Sequence, residues 1–233
     1  TGGSQTFTTT STTTTNATFN VPDDVSLVYV TMCGGGGAGG YINGHGGAGA
    51  TTIVRKPVPV SPGQSISVAV GGGGLGYSCN SSSCPKGKDS SFGDLLAPGA
   101  KSGTPRWHSP VSTVVPDNYE TGSSLLILGG DGGNAAIPSN SWGESVAGNA
   151  GGTGILSGSY IGGGGGASYF GRGGNAIPGS QGEDGQGYCS GGAGAVEDGG
   201  GVYFVGGNGA PGIVVVEWLS LIHISEPTRP IHI

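Results

Sequence analysis

Charge is scarce in this chain: Asp, Glu, Lys and Arg make up 9 % of 233 residues, and aromatic residues 7 %. There is one methionine. No apolar run approaches the roughly 20 residues that a membrane-spanning helix requires. Eight basic residues against 14 acidic ones leave a net charge of −6, which provides no electrostatic footprint for nucleic acid. No segment sustains an apolar period of 3.6 residues with caps at its ends. What fills the chain instead is glycine, 55 residues of it. Glycine costs about 1 kcal/mol per interior helix position relative to alanine, so a helical protein is excluded. The glycines come in clumps without a strict third-residue period, which excludes collagen. Such a composition argues against an intracellular enzyme and fits a secreted or surface protein, and the length fits one large β domain or two small ones.

Four cysteines, Cys33, Cys79, Cys84 and Cys189, allow three pairings. Cys79 and Cys84 bracket a short Asn-Ser-Ser-Ser loop that a disulfide would staple, leaving Cys33 and Cys189 for a long-range link. Disulfides agree with an oxidising, extracellular location. The chain begins at Thr1 without Met, as a mature chain would after loss of a signal peptide. Two N-glycosylation sequons stand at Asn16 and Asn80.

From Thr6 to Thr15 the sequence reads TFTTTSTTTT. Threonine is β-branched and favours extended backbone. Thr8, Thr9, Thr10, Thr12, Thr13, Thr14 and Thr15 are candidates for O-linked glycans in a polar tract of this kind. A tract with no apolar face is ordered only when something holds it, most simply a sheet edge of its own domain or of a neighbouring copy. The expected organisation is an extended arm over residues 1–16, a glycine-rich β domain over 17–218, and a tail of doubtful origin over 219–233.

Strands are expected at 17–21, 25–33, 51–56, 64–70 and 213–218, with further short apolar runs at 125–128 and 202–205. In 64–70, Ile66, Val68 and Val70 alternate with Ser65, Ser67 and Ala69, the pattern of a half-buried strand. In 25–33, Val28, Val30 and Met32 share one face while Val25, Leu27, Tyr29, Thr31 and Cys33 share the other, which predicts a central strand covered on both sides. Pro57 and Pro59 confine their segment to an edge or a strand end. Glycine clumps separate these runs at 34–40, 71–74, 129–133, 162–166 and 199–201. They are expected to admit positive φ and polyproline-II-like extension, lying flat on one another and bonding through backbone groups. The fold class is all-β, an antiparallel, jelly-roll-like β-sandwich with long glycine-rich loops.

Chemical motifs are weak. Gly34–Gly39 satisfies GxGxxG after a strand, yet the following YINGHGGAGATT cannot open the helix that would hold a pyrophosphate. His45, His108, His223 and His232 are scattered, without ligand spacing for zinc. Asp131 and Asn134, and Glu183-Asp184, have the flavour of calcium-binding glycine-aspartate repeats but lack the tandem period. No pair of carboxylates and no Ser-His-acid set stands out. No catalytic, cofactor-binding or metal residue is assigned, and the chain reads as a non-enzyme.

TFNVPDDVSLVYVTMCGGGGAGG at 18–40, VSPGQSISVAVGGGG at 60–74, SSFGD at 90–94 and GAPGIVVVEW at 209–218 occur in order. Together they resemble the glycine-rich domain of extracellular fibre and phage-tail or adhesin-type proteins. That resemblance implies a compact β-sandwich with glycine loops in a surface or fibre component, with no catalytic residues to carry over. The segment 220–230, SLIHISEPTRP, resembles a translated sequencing-adapter read-through, as found in environmental samples. The expected function is a structural subunit of an extracellular filament, a helical homopolymer bearing covalent glycans. In it the N-terminal arm adds as a strand to the next subunit, with Phe7 and Phe19 setting register. The alternative is a receptor- or glycan-binding adhesin tip of a tail fibre or cell surface.

Overall fold

A computed structural model describes residues 2–10, 12–41, 44–76, 84–103, 144–146, 148, 155–156, 160–177, 179–196 and 204–219. The protein is an antiparallel β-sandwich continued at one end by a bundle of extended glycine segments. The strands are β1 (Gly3–Thr8), β2 (Thr15–Asn20), β3 (Leu27–Cys33), β4 (Thr52–Pro59), β5 (Ser65–Val70), β6 (Ser90–Phe92), β7 (Leu95–Ala97), β8 (Glu144–Val146), β9 (Ile155–Leu156), β10 (Tyr160–Ile161) and β11 (Ile213–Trp218). One sheet has the order β1-β11-β3-β4-β8, the other β2-β5-β6-β7, and β9 pairs with β10.

The alternation of 64–70 places Ile66, Val68 and Val70 in the core. They meet Val28, Val30 and Met32 of β3 and Val214 and Val216 of β11 from the facing sheet. Phe19 is fully buried at the centre, 5.8 Å from the Phe92 ring and 5.6 Å from Trp218, both in tilted geometry. β3 is the central strand of its sheet, but only its Val28 face is covered throughout. On the opposite face Leu27 is exposed and Tyr29 half-buried, so the expectation of two covered faces fails there. Cover reaches that face only near Cys33, where the bundle begins. β4 tolerates Pro57 and Pro59 because β8 pairs only with its first half, at Thr52, Ile53 and Val54.

The N-terminal tract pairs with both sheets of its own chain. β1 lies antiparallel along β11 of its own chain, from Gly3 opposite Trp218 to Thr8 opposite Ile213. β2 begins at Thr15 and pairs with β5. The arm is therefore part of the β domain, held because Phe7 enters the core and Gly3 leaves room for the Trp218 indole. The runs expected at 125–128 and most of 202–205 lie outside the described residues, as do 220–233.

Six glycine segments run on from a strand or into one: 34–40 follows β3, 44–50 leads to β4, 71–76 follows β5, 84–89 leads to β6, 98–103 follows β7 and 204–212 leads to β11. In segment 34–40 the N–H groups of Gly36 and Gly39 donate to Ala210 and Gly207, and those of Gly37 and Gly40 to Ala48 and His45. The carbonyls of Gly35 and Ala38 accept from Ala100 and Gly103, and those of Gly37 and Gly40 from Gly192 and Ala195. Each neighbour is met again after three residues, the repeat of a polyproline-II helix. Such a helix has no internal hydrogen bonds, so its polar groups point outward and must find partners elsewhere. The partners are the surrounding segments.

Segment 34–40 is enclosed by 71–76, 85–89, 98–103, 44–50, 190–196 and 204–212, and each member of this ring bonds to the next. Segment 190–196 is the centre of a second ring: 34–40, 44–50, 162–167, 172–175, 182–186 and 204–212. The centre of each ring is a member of the other, and segments 44–50 and 204–212 belong to both, as in a hexagonal lattice.

Among the described residues, positive φ is confined to the turn glycines Gly63, Gly93, Gly179 and Gly187 and to Arg55 and Cys189. The bundle therefore uses glycine for its missing Cβ and not for left-handed backbone. A Cβ on Gly36 would overlap the Ser190 carbonyl oxygen, and one on Gly39 the Ala193 carbonyl oxygen. Overpacking of this kind costs about 1–3 kcal/mol or more per site. Gly36→Ala or Gly39→Ala is expected to lower the melting temperature by about 3–10 °C, at roughly 2–4 °C per kcal/mol for a domain of this size. Ala38→Gly, which only removes a methyl, has a smaller effect. Unchanged melting of both glycine variants by calorimetry refutes the close-packed bundle.

Candidate functional site

Three features of the molecule are candidates for function: the disulfide-clamped bundle, the outer face of the five-stranded sheet, and the N-terminal strands. The bundle joins the sandwich at a small cluster of Cys33, Ala48, Ala50, Ala100, Cys189 and Ile213, against which Phe170, Tyr188 and Val215 pack. Here Cys33 and Cys189 form a disulfide across a sequence separation of 156. Cys33 immediately precedes segment 34–40 and Cys189 immediately precedes 190–196. The bond thus ties together the starts of the two segments at the ring centres. Cys189 holds φ at 64°, while its N–H donates to Pro211 and its carbonyl accepts from Ala50. Cys84 is also disulfide-bonded. Cys79, the candidate partner, lies outside the described residues.

On the outer face of the five-stranded sheet, β4 and β3 slip register between Val30 and Met32. Arg55 occupies this irregularity with φ 47°, and its N–H donates to Thr31 Oγ1 at 3.0 Å. Its guanidinium lies 5.1 Å from the Tyr29 ring centroid and 2.9 Å from Glu217 Oε2. The bulge aims the side chain across the sheet face. With side chains 58 % and 39 % exposed, the ion pair is well screened by water and contributes under about 1 kcal/mol. The sequence pattern placed Tyr29 on this face but gave no signal for Arg55, because a bulge breaks the alternation that would have aligned the two.

The acids of the bundle act as local caps. Glu183 Oε2 accepts from the N–H and side-chain amide of Asn175, and Asp184 Oδ1 from the N–H of Asn208 at 2.6 Å. Asn208 Oδ1 in turn accepts from Gly76 N–H. These carboxylates are committed to backbone groups at the bundle's rim. Among the described residues no three of His, Cys, Asp and Glu gather as a metal site. His45 sits half-buried in the bundle, and its carbonyl accepts from Gly40. Asp131, Asn134, His108, His223 and His232 lie outside the described residues.

The N-terminal candidates divide. Asn16 is exposed on β2, as are Thr8, Thr10, Thr13, Thr14 and Thr15, while Thr12 is half-buried. Thr9 is buried and its hydroxyl bonds to Thr15 Oγ1 at 2.8 Å, so it is withdrawn as a glycan acceptor. Asn80 lies outside the described residues. Phe19 and Phe7, expected to set the register of the arm on a neighbour, lie in the chain's own core in the folded monomer.

Replacing Cys33 and Cys189 together by Ser is expected to cost about 2–5 kcal/mol in denaturant titration, because a long closed loop in the unfolded chain is released. Glu217→Gln is expected to change stability by under about 1 kcal/mol. A double cysteine variant as stable as the parent would show that the clamp is not needed.

No curated protein matches the chain. The model of one family covers residues 9–219, leaving β1 just outside the matched region. With nearly the whole sandwich and bundle inside that match, the chain belongs to the glycine-rich domain family.

Proposed function

We propose that the protein is a non-enzymatic structural subunit of an extracellular filament, assembled by exchange of the N-terminal strand β1 between neighbouring copies. The observation that carries this reading is how β1 is held. It is a terminal edge strand whose only core side chain is Phe7, and it precedes the family-matched region. If β1 leaves β11 and an identical strand arrives from the next copy, every ladder bond and the Phe7 burial are recovered. Exchange of an identical element is a low-cost route to association, and a head-to-tail exchange that does not close gives a fibre. The disulfide-bonded cysteines support an oxidising compartment. The exposed Asn16, Thr8, Thr10, Thr13, Thr14 and Thr15 supply acceptors for covalent glycans on the fibre surface.

A second reading, a receptor- or glycan-binding tip, is favoured by one observation. The glycine segments extend one end of the sandwich as a bundle cross-bonded through its backbone, with a far end remote from the strands. A rigid bundle would hold that end away from an anchored sandwich.

Electron microscopy of the full chain and of a chain lacking residues 1–8 separates the two. Filaments from the full chain and folded monomers from the truncation are expected, with the truncation binding a synthetic peptide of residues 2–10. Filaments from the truncated chain overturn strand exchange. Glycan or cell binding by a monomer that never polymerises supports the tip.

A further inference from the structure

We infer that the side of the sandwich formed by β1 and β2 is a lateral pairing surface for a second copy of this chain. In the resulting pair, β1 lies antiparallel to the partner copy's β1 and β2 antiparallel to its β2, about one two-fold axis normal to the sheets. This contact is separate from strand exchange and stands whether or not β1 is exchanged, since an exchanged strand is still an edge.

Each sheet has two ends, and the two ends are treated differently. One side of the sandwich carries β7 and β8, of three residues each; Pro98 follows β7 directly, and β8 contains Glu144. Short length, charge and proline are the devices by which edges avoid adding further strands. The other side carries β1 and β2, of six residues each. Neither contains a proline or a charge, and the first charged residue of the chain is Asp23. Their registers with β11 and β5 run unbroken over all six residues, so no bulge twists either edge away. The residues facing outward from the two sheets are Ser4, Thr6 and Thr8 on β1 and Asn16, Thr18 and Asn20 on β2, all exposed.

Among the described residues, protection is present on one side and absent on the other, which points to a partner on the unprotected side. An uncharged wall meets its own copy without like-charge repulsion, and an isologous contact uses the same patch twice. Continuous pairing would turn the five- and four-stranded sheets into ten- and eight-stranded ones across the pair, with backbone ladder bonds as the source of affinity.

The test is sedimentation velocity of the full chain, with Ser4→Lys/Thr6→Lys, Asn16→Lys/Thr18→Lys and, on the protected side, Leu96→Lys. Lateral pairing, seen as dimers or as paired filaments, is expected for the parent and for Leu96→Lys. Each double lysine variant should weaken dimerisation by about tenfold or more, because the new charges of the two copies meet on one sheet face. A Thr6→Cys/Val215→Cys variant, which joins directly opposed residues of β1 and β11, fixes β1 in its own chain when oxidised. If this locked protein still dimerises but forms no filaments, lateral pairing stands and exchange accounts for the fibre. Dimers without filaments from the unlocked parent leave lateral pairing standing and refute the filament reading. A monomeric parent, a locked protein without dimers, or lysine variants that pair as tightly as the parent would each overturn the inference.

Discussion

A peptide group buried without a partner costs more than most side chains can repay, and the glycine bundle has almost no side chains to bury. The glycine segments solve this by bonding outward in all directions to one another. An isolated polyproline-II strand gives its polar groups to water. Here segments 34–40 and 190–196 give theirs to the surrounding segments. The arrangement exists only if backbones approach closely enough for N–H to reach C=O between adjacent helices, and a Cβ at Gly36 or Gly39 would fill that gap. The apolar core of the sandwich and the hydrogen-bonded core of the bundle are thus two different answers to one requirement.

The sandwich in turn sets the bundle's geometry. Glycine loses more conformational freedom on ordering than any other residue. Segments of it do not assemble unless something fixes their ends. Strands β3, β4, β5, β6, β7 and β11 deliver six segments to one end of the bundle in a defined order. The disulfide between Cys33 and Cys189 then joins the two segments with most partners at the sandwich end of the bundle. Bonded neighbours such as Gly35 and Lys88, or Gly36 and Ala210, are far apart in sequence. Non-local pairing of this kind makes for slow folding, in which the sandwich has to be largely in place before the bundle can close.

The strands were legible because their side chains alternate. The final strand falls at Ile213–Trp218 as expected from its sequence, and 64–70 differs from Ser65–Val70 by a single residue. The extension and mutual bonding of the glycine segments also followed from composition. Which segment lies beside which did not, since glycine offers no side chain from which to read a neighbour. The N-terminal strands were harder for a related reason. β1 and β2 each carry a single large apolar residue, Phe7 and Phe19, and one apolar residue marks a face without naming the sheet it belongs to. The Arg55, Tyr29 and Glu217 cluster escaped because it depends on a bulge, which has no signature in the alternation of β4.

The alanines interspersed among the glycines resolve a degeneracy that pure polyglycine would have. A helix repeating every three residues, bonded only through its backbone, is nearly indifferent to a slip of one residue along its axis. Ala38, Ala48, Ala100, Ala193 and Ala210 are all buried within the bundle. Their neighbours are positions where a Cβ would strike a carbonyl: Gly37 against Lys101 and Gly39 against Ala193; Gly47 against Gly37 and Gly49 against Ala167; Gly99 against Gly87; Gly192 against Gly207 and Gly194 against Gly44; Gly209 against Gly36. A slip by one residue would carry an alanine methyl into one of those carbonyl oxygens. The alanines therefore fix register by making the shifted alternatives clash, as inward and outward alternation does for a strand. In a core without packing side chains, a single methyl is enough to disfavour a shifted register, provided the positions beside it have no room for one.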